Sequence, residues 1–251
     1  MGWLGKAVGG TIGFAMGGPL GAVAGAVFGH MFDGSDEKLQ LIGERSPGSA
    51  GEQAQMAFFV ASFSMLAKLA KADGGVTDAE MQSIRQFMAQ DLNLNAQSRQ
   101  AAEQIFQAAL QTPQSFDAFA GQFYQHFARQ PQLLELMIDI LFRVSVADGA
   151  LHESEEQLIL SAVRIFHLTE TDYQKIKSRY IKNTEKFYAA LGCSSSDSND
   201  TIKKQYRKLV RDYHPDTIAA KGLPEEFEKF ANDKFREIQE AYEAVSKERR
   251  L

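Results

Sequence analysis

One cysteine, one tryptophan and five histidines are all that a chain of 251 residues carries of these types. Cys193 has no second cysteine to pair with, so no intramolecular disulfide can form, which points to a reducing compartment for the folded part. The histidines (His30, His126, His152, His167 and His214) are all far apart in sequence. His152 opens a His-Glu-Ser-Glu-Glu run that lacks the second histidine of a zinc-protease helix. There is no G-x-x-x-x-G-K-[ST] phosphate loop, no nucleophile elbow and no histidine beside Cys193. These absences argue against an enzyme, and no cofactor is expected. Positive charge is also lacking overall: the net charge is −5, which gives no global sign of nucleic-acid binding. Finally, no run alternates as a strand does, so the expected class is all-α.

Charge is missing altogether from Ala7 to Gly29, 23 residues that as a helix would span roughly 34 Å, enough for a bilayer core. Trp3, Lys6, Phe32 and Asp33 flank the stretch like interfacial anchors. The expectation is a membrane anchor over residues 1–33. A secretory signal peptide is the competing reading, with Ala22-Val23-Ala24 as its cleavage site, and Gly17-Gly18-Pro19 could break the helix. Glycine recurs at every fourth position: Gly5, Gly9, Gly13, Gly17, Gly21, Gly25 and Gly29. In lipid, helices associate through close backbone packing, which small residues four apart permit, so the ladder is read as a dimer interface. The plainer alternative is that the glycines only fill a weak span.

Residues 34–51 are mixed and end in Ser, Pro and Gly, as a linker does. From residue 52 to 182 the periodicity is helical throughout. Helices are expected at Gln53–Ala72, Asp78–Leu92, Ala96–Leu110, Phe116–Phe127, Pro131–Ala147, Glu153–Phe166 and Glu170–Tyr180. Met56, Phe59, Val60, Phe63, Leu66 and Leu69 mark one apolar face. Thr77 with Glu80, and Ser154 with Gln157, have the spacing of capping boxes. Inside this bundle KADGGVTDAE (Lys71–Glu80) and VADGALHESE (Val146–Glu155) repeat 75 residues apart. The simplest account is a helix end closed by Gly74 or Gly149 in left-handed geometry. The alternative makes Asp73, Glu80, Asp148 and Glu155 ligands for a hard cation, though neither copy has the rhythm of a calcium loop.

The last part of the chain, residues 185–251, holds the strongest signal. TIKKQYRKLVRDY (Thr201–Tyr213) is amphipathic, with Ile202, Tyr206, Leu209, Val210 and Tyr213 facing a core. Lys203, Lys204, Arg207, Lys208 and Arg211 form a basic face, and Asp200 is a candidate cap. The helix ends at His214-Pro215-Asp216, which Pro215 forces away from helical geometry. A second helix is expected from about Glu225 to Val245, with Phe227, Phe230, Ala231, Ile238, Ala241, Tyr242 and Val245 as its core stripe.

A basic helix and a second, antiparallel helix joined by a His-Pro-Asp loop, preceded by FYAALG (Phe187–Gly192), resemble a J-domain. Thr217 departs from the lysine that many members carry there. With the anchor, the two Ala-Asp-Gly turns and AKGLP (Ala220–Pro224), the whole chain resembles the DjlA family of membrane-anchored bacterial co-chaperones, whose middle region is TerB-like. The resemblance implies binding to the ATP form of a DnaK-type, seventy-kilodalton heat-shock chaperone and stimulation of its ATP hydrolysis. His214, Pro215 and Asp216 would engage the chaperone, and Lys203, Lys204, Arg207, Lys208 and Arg211 would meet an acidic surface on it. It also implies the bacterial inner membrane, crossed once, with the C-terminal domains in the cytoplasm. Two alternatives stay open. The basic helix could line a nucleic-acid backbone, although residues 182–251 carry only +1. The chain could also be a membrane scaffold or adaptor whose bundle recruits partners or binds a metal ion.

Overall fold

A computed structural model of the chain describes residues 17–28, 50–147, 151–180 and 186–249. Every regular element among them is a helix: α1 Gly18–Phe28, α2 Ala50–Ala70, α3 Asp78–Gln86 continued by a π-helical turn Phe87–Asp91, α4 Ala96–Gln111, α5 Phe116–Phe127, α6 Pro131–Ser145, α7 Glu153–Ile165, α8 Glu170–Tyr180, α9 Lys186–Ala190, α10 Asn199–Asp212, α11 Pro215–Ala219, a 3₁₀ turn Glu225–Phe227, and α12 Glu228–Arg249.

The starts of these helices follow from local chemistry. Thr77 caps α3 in a full capping box: its backbone N–H donates to Glu80 Oε2 at 2.6 Å, and its hydroxyl accepts from the Glu80 N–H. Asn95, Ser115 and Ser198 cap α4, α5 and α10 through side-chain oxygens that accept from the third residue on. The cap of α10 is thus Ser198, with Asp200 one residue inside the first turn. The second capping box also lies two residues earlier than the spacing of Ser154 and Gln157 suggests. Glu155 Oε2 accepts from the backbone of His152, the residue before α7. Gly74 adopts φ +116, the left-handed turn expected after α2. Its counterpart Gly149 lies outside the described residues.

Helix α2 is the axis of the bundle. An apolar stripe is expected on one face, yet from Met56 to Leu69 only Lys68 escapes full burial. Helices α1, α4, α5 and α6 cover it on several sides, and an encased helix needs no polar face. Lys68 reaches out to donate to the Thr112 carbonyl at 2.8 Å. Phe58 sits at the centre, edge-on to Phe123, Phe127 and Phe227 with centroids 5.5, 5.8 and 5.0 Å away.

Phe227 belongs to the C-terminal unit, so the two helical units share one core. The 3₁₀ turn inserts it, fully buried, among Phe58, Phe59 and Phe63, and Phe230 packs edge-on to Phe87 at 5.9 Å. Gly222 adopts φ +93, and an added Cβ there would lie 3.0 Å from the Ala54 Cβ; only glycine allows this approach to α2. The contact is polar as well. Lys234 of α12 lies 3.1 Å from Asp139 of α6. Tyr180 donates to the same carboxylate at 2.7 Å, and Arg179 stands 3.7 Å away. Burial alone would raise the Asp139 carboxyl, but the cations of Lys234 and Arg179 outweigh it and hold the group below the usual carboxylate range.

Helix α1 starts at the suspected break. Gly17 and Gly18 adopt φ +54 and +56, and Pro19 opens the helix. The remainder of the expected 23-residue span, including Gly9, Gly13 and Gly29, lies outside the described residues, as does Gly5 before it. Among the described residues no helix is long and apolar enough to cross a membrane.

Candidate functional site at the His-Pro-Asp turn

Helix α10 lies against α12 through Tyr206 and Tyr242, whose rings stack with centroids 3.8 Å apart, and through buried Ile202 and Leu209. Tyr213, last of the expected core residues, turns to the bundle instead: its buried ring donates its hydroxyl to Glu135 Oε2 of α6 at 2.6 Å. The next residue is His214. The chain therefore enters the motif from a fixed point.

The motif is not a free loop, as the sequence suggests, but the capping turn of α11. His214 takes φ −58, ψ 134, as a residue before proline must, and Pro215 occupies the first helical turn. The Asp216 N–H donates to His214 Nδ1 at 3.3 Å, which leaves Nε2 as the donor of the neutral ring. The imidazole packs edge-on to Phe235 of α12 at 5.7 Å. The side chain of His214 is 48% exposed and that of Asp216 is 94% exposed, 3.8 Å from it. One face of the motif is thus braced and the other is open to solvent.

The basic residues divide. Lys204, Arg207, Lys208 and Arg211 are exposed and Lys203 is half-buried. Among the described residues no carboxylate lies within 4 Å of Lys203, Lys204 or Arg207, whereas Arg211 lies 3.8 Å from Asp212. Lys208 borders the crevice that holds Glu135 and Asp172, so part of its field falls on the bundle. Burial raises the Glu135 carboxyl above its usual range, although the Tyr213 hydroxyl and the Arg179 charge pull the other way. A raised carboxyl favours the fold below its unfolded value, and that contribution is lost as pH rises through the folded one. Glu135→Gln is therefore expected to melt above the unmodified chain at pH 7, the gap closing as pH falls towards about 4. Thermal melts across that range check it; a pH-independent gap would contradict it.

The other expected sites are less complete. Asp73, Glu80 and Glu155 line a single cavity of about 240 Å³ with His152, so the two Ala-Asp-Gly copies do converge. Asp148 lies outside the described residues. Glu80 and Glu155 already serve as capping partners, and among the described residues no three His, Cys, Asp or Glu side chains are arranged to hold a metal. Gly17, Gly21 and Gly25 are the described rungs of the ladder; added Cβ atoms at Gly17 and Gly25 would meet nothing within 4 Å. Cys193 is half-buried, and burial pushes its thiol up to about 11, which keeps it protonated and unreactive at neutral pH. Sequence reasoning misses Lys234, Asp139, Glu135 and Phe227 as a joint between the two units. An isolated lysine in an apolar stripe of α12 is the one signal that could have raised the question.

Comparison with known proteins matches the same order of parts. The model described as Co-chaperone DjlA transmembrane domain matches residues 1–51, Tellurite resistance protein TerB matches 59–178, and DnaJ domain matches 186–250. Co-chaperone protein DjlA of Coxiella burnetii is 30% identical over 270 aligned positions, covering 100% of both chains. The proteins of the same name from Photobacterium profundum and Haemophilus ducreyi are 28% and 25% identical, over 88% and 87% of this chain and 90% and 88% of theirs. No solved structure matches. With a relative alike from end to end and a J-domain whose His-Pro-Asp turn is braced behind and open in front, the chain belongs to the DjlA family of co-chaperones.

Proposed function

We propose that the chain binds the ATP form of a DnaK-type chaperone and stimulates its ATP hydrolysis through His214, Pro215 and Asp216, doing no chemistry of its own. The observation that carries this reading is the division of the J-domain surface. The face bearing Phe227, Phe230 and Lys234 is buried on the bundle, while His214, Asp216 and the cations of α10 remain outside. Stimulation is then differential binding to the hydrolysing state of the partner, with the cations steering encounter.

The charge part of the reading has its own test. Lys204→Glu with Arg207→Glu is expected to slow association with the purified ATP-bound chaperone about tenfold at low salt and to flatten its salt dependence. Both residues are exposed, so stability should stay within about 0.5 kcal/mol. Unchanged association rates through a salt series would contradict steering.

The division into an anchor at 1–33, a linker at 34–51, a bundle at 52–182 and a J-domain at 185–251 belongs to the same proposal. So does a single pass through the bacterial inner membrane with the C-terminal domains cytoplasmic, where the chaperone, its ATP and an unpaired Cys193 all fit. Pairing of two copies through the glycine ladder is supported by the open space around Gly17 and Gly25. In inverted inner-membrane vesicles a membrane-impermeant lysine cross-linker is expected to capture dimers. Gly9→Leu with Gly13→Leu, or Gly21→Leu with Gly25→Leu, should cut the yield several-fold. Undiminished yield in both pairs would remove the ladder as the interface, and digestion of the C-terminal domains by protease added to intact spheroplasts would reverse the topology.

A further inference from the structure

Helix α1 has two unlike faces. Leu20, Val23, Ala24 and Phe28 are buried against α2, α4 and α5, while Ala22 and Ala26 are exposed. One side chain holds its first turn. Gln122 of α5 accepts from the Leu20 N–H at 2.8 Å and donates to the Gly17 carbonyl at 2.9 Å. A Cβ on Gly18 would lie 2.9 Å from the Gln122 Oε1, so glycine is what admits this amide. Yet the same residues fall within the segment that matches the transmembrane domain, and one helix cannot lie in lipid and in this groove at once.

Hydrophobicity barely separates the two places, because lipid tails are as apolar as a protein core. The backbone does. At the left-handed Gly17-Gly18 turn, followed by a proline, the Leu20 N–H lies in the first turn of the helix, where donors need a partner from outside it, and Gln122 supplies that partner. In hydrocarbon an unsatisfied N–H costs several kcal/mol; in the groove Gln122 satisfies it.

We propose that the groove between α2, α4 and α5 is a receiving site for the second half of the anchor, residues 17–28 of the same chain, and that this segment exchanges between lipid and bundle. In the docked form residues 17–28 are withdrawn from lipid and contribute nothing to a membrane span. This inference stands apart from the chaperone reading.

Ala26 separates the two states, since it is exposed to water when docked and lies in lipid when inserted. The full-length chain carrying Cys193→Ser and Ala26→Cys is reconstituted into phosphatidylethanolamine–phosphatidylglycerol vesicles and treated with a membrane-impermeant maleimide. Partial labelling is expected, independent of protein density. Gln122→Leu should lower it about tenfold, and Gly18→Ala, which clashes with Gln122 without altering the bundle, should do the same. Full protection in every variant would mean a permanent span, and full labelling in every variant no insertion; either overturns the proposal. Labelling that rises with protein density would assign the groove to the helix of a second copy and overturn it too.

Discussion

Replacing Lys234 by methionine is expected to destabilise the chain by about 3 kcal/mol, although methionine keeps the apolar stem. The ammonium group lies 3.1 Å from the buried carboxylate of Asp139, and only 5% of the lysine side chain is exposed. Without it, Asp139 keeps the Tyr180 hydroxyl and a guanidinium 3.7 Å away, which sets the loss at the low end for a broken buried pair. The loss should be coupled to the J-domain, because α6 supplies the anion and α12 the cation. Urea denaturation of Lys234→Met, Asp139→Asn and the double variant forms the cycle. The double variant should lose less than the two single losses added together, because Asp139→Asn no longer leaves a carboxylate facing the missing ammonium, although the buried Arg179 guanidinium then loses its carboxylate partner. Losses that simply add would mean the pair does not join the two units.

The joint is where the sequence is least informative, and the reason is physical. Helical periodicity reports that a face is apolar but not which surface covers it. Phe227 and Phe230 read as the core stripe of a two-helix hairpin, and they pack instead against Phe58 and Phe87 of the bundle. Met56, Phe59 and Val60 give a stripe on α2, yet Phe58 and Ala61 on its other sides are equally buried, because the helix is surrounded. Local chemistry is far more legible. The starts of α3, α5 and α8 follow their caps closely, since a capping oxygen three residues from its N–H is set by neighbours in the chain. The His-Pro-Asp motif falls between these cases. Pro215 predicts the interruption after α10, but the cap that Nδ1 provides to Asp216 and the brace from Phe235 require the folded chain.

His214→Gln is the second large effect, and it acts on function alone. The side chain is half exposed and buries little beyond its edge on Phe235. The long 3.3 Å cap to the Asp216 N–H is the main structural loss, so stability should fall by no more than about 1 kcal/mol. Each tenfold of stimulation corresponds to about 1.4 kcal/mol taken off the partner's barrier, and that is what the outward face of the motif is proposed to supply. Glutamine keeps polarity but not the ring, nor the placement of its donor across from Nδ1. The decisive measurement is single-turnover ATP hydrolysis by a purified DnaK-type chaperone, with the full-length chain added in detergent, unmodified or carrying His214→Gln. Stimulation by the unmodified chain and return to the unstimulated rate with the variant, at matched circular dichroism, is the expected result. Equal stimulation by both, or none by either, would contradict the account.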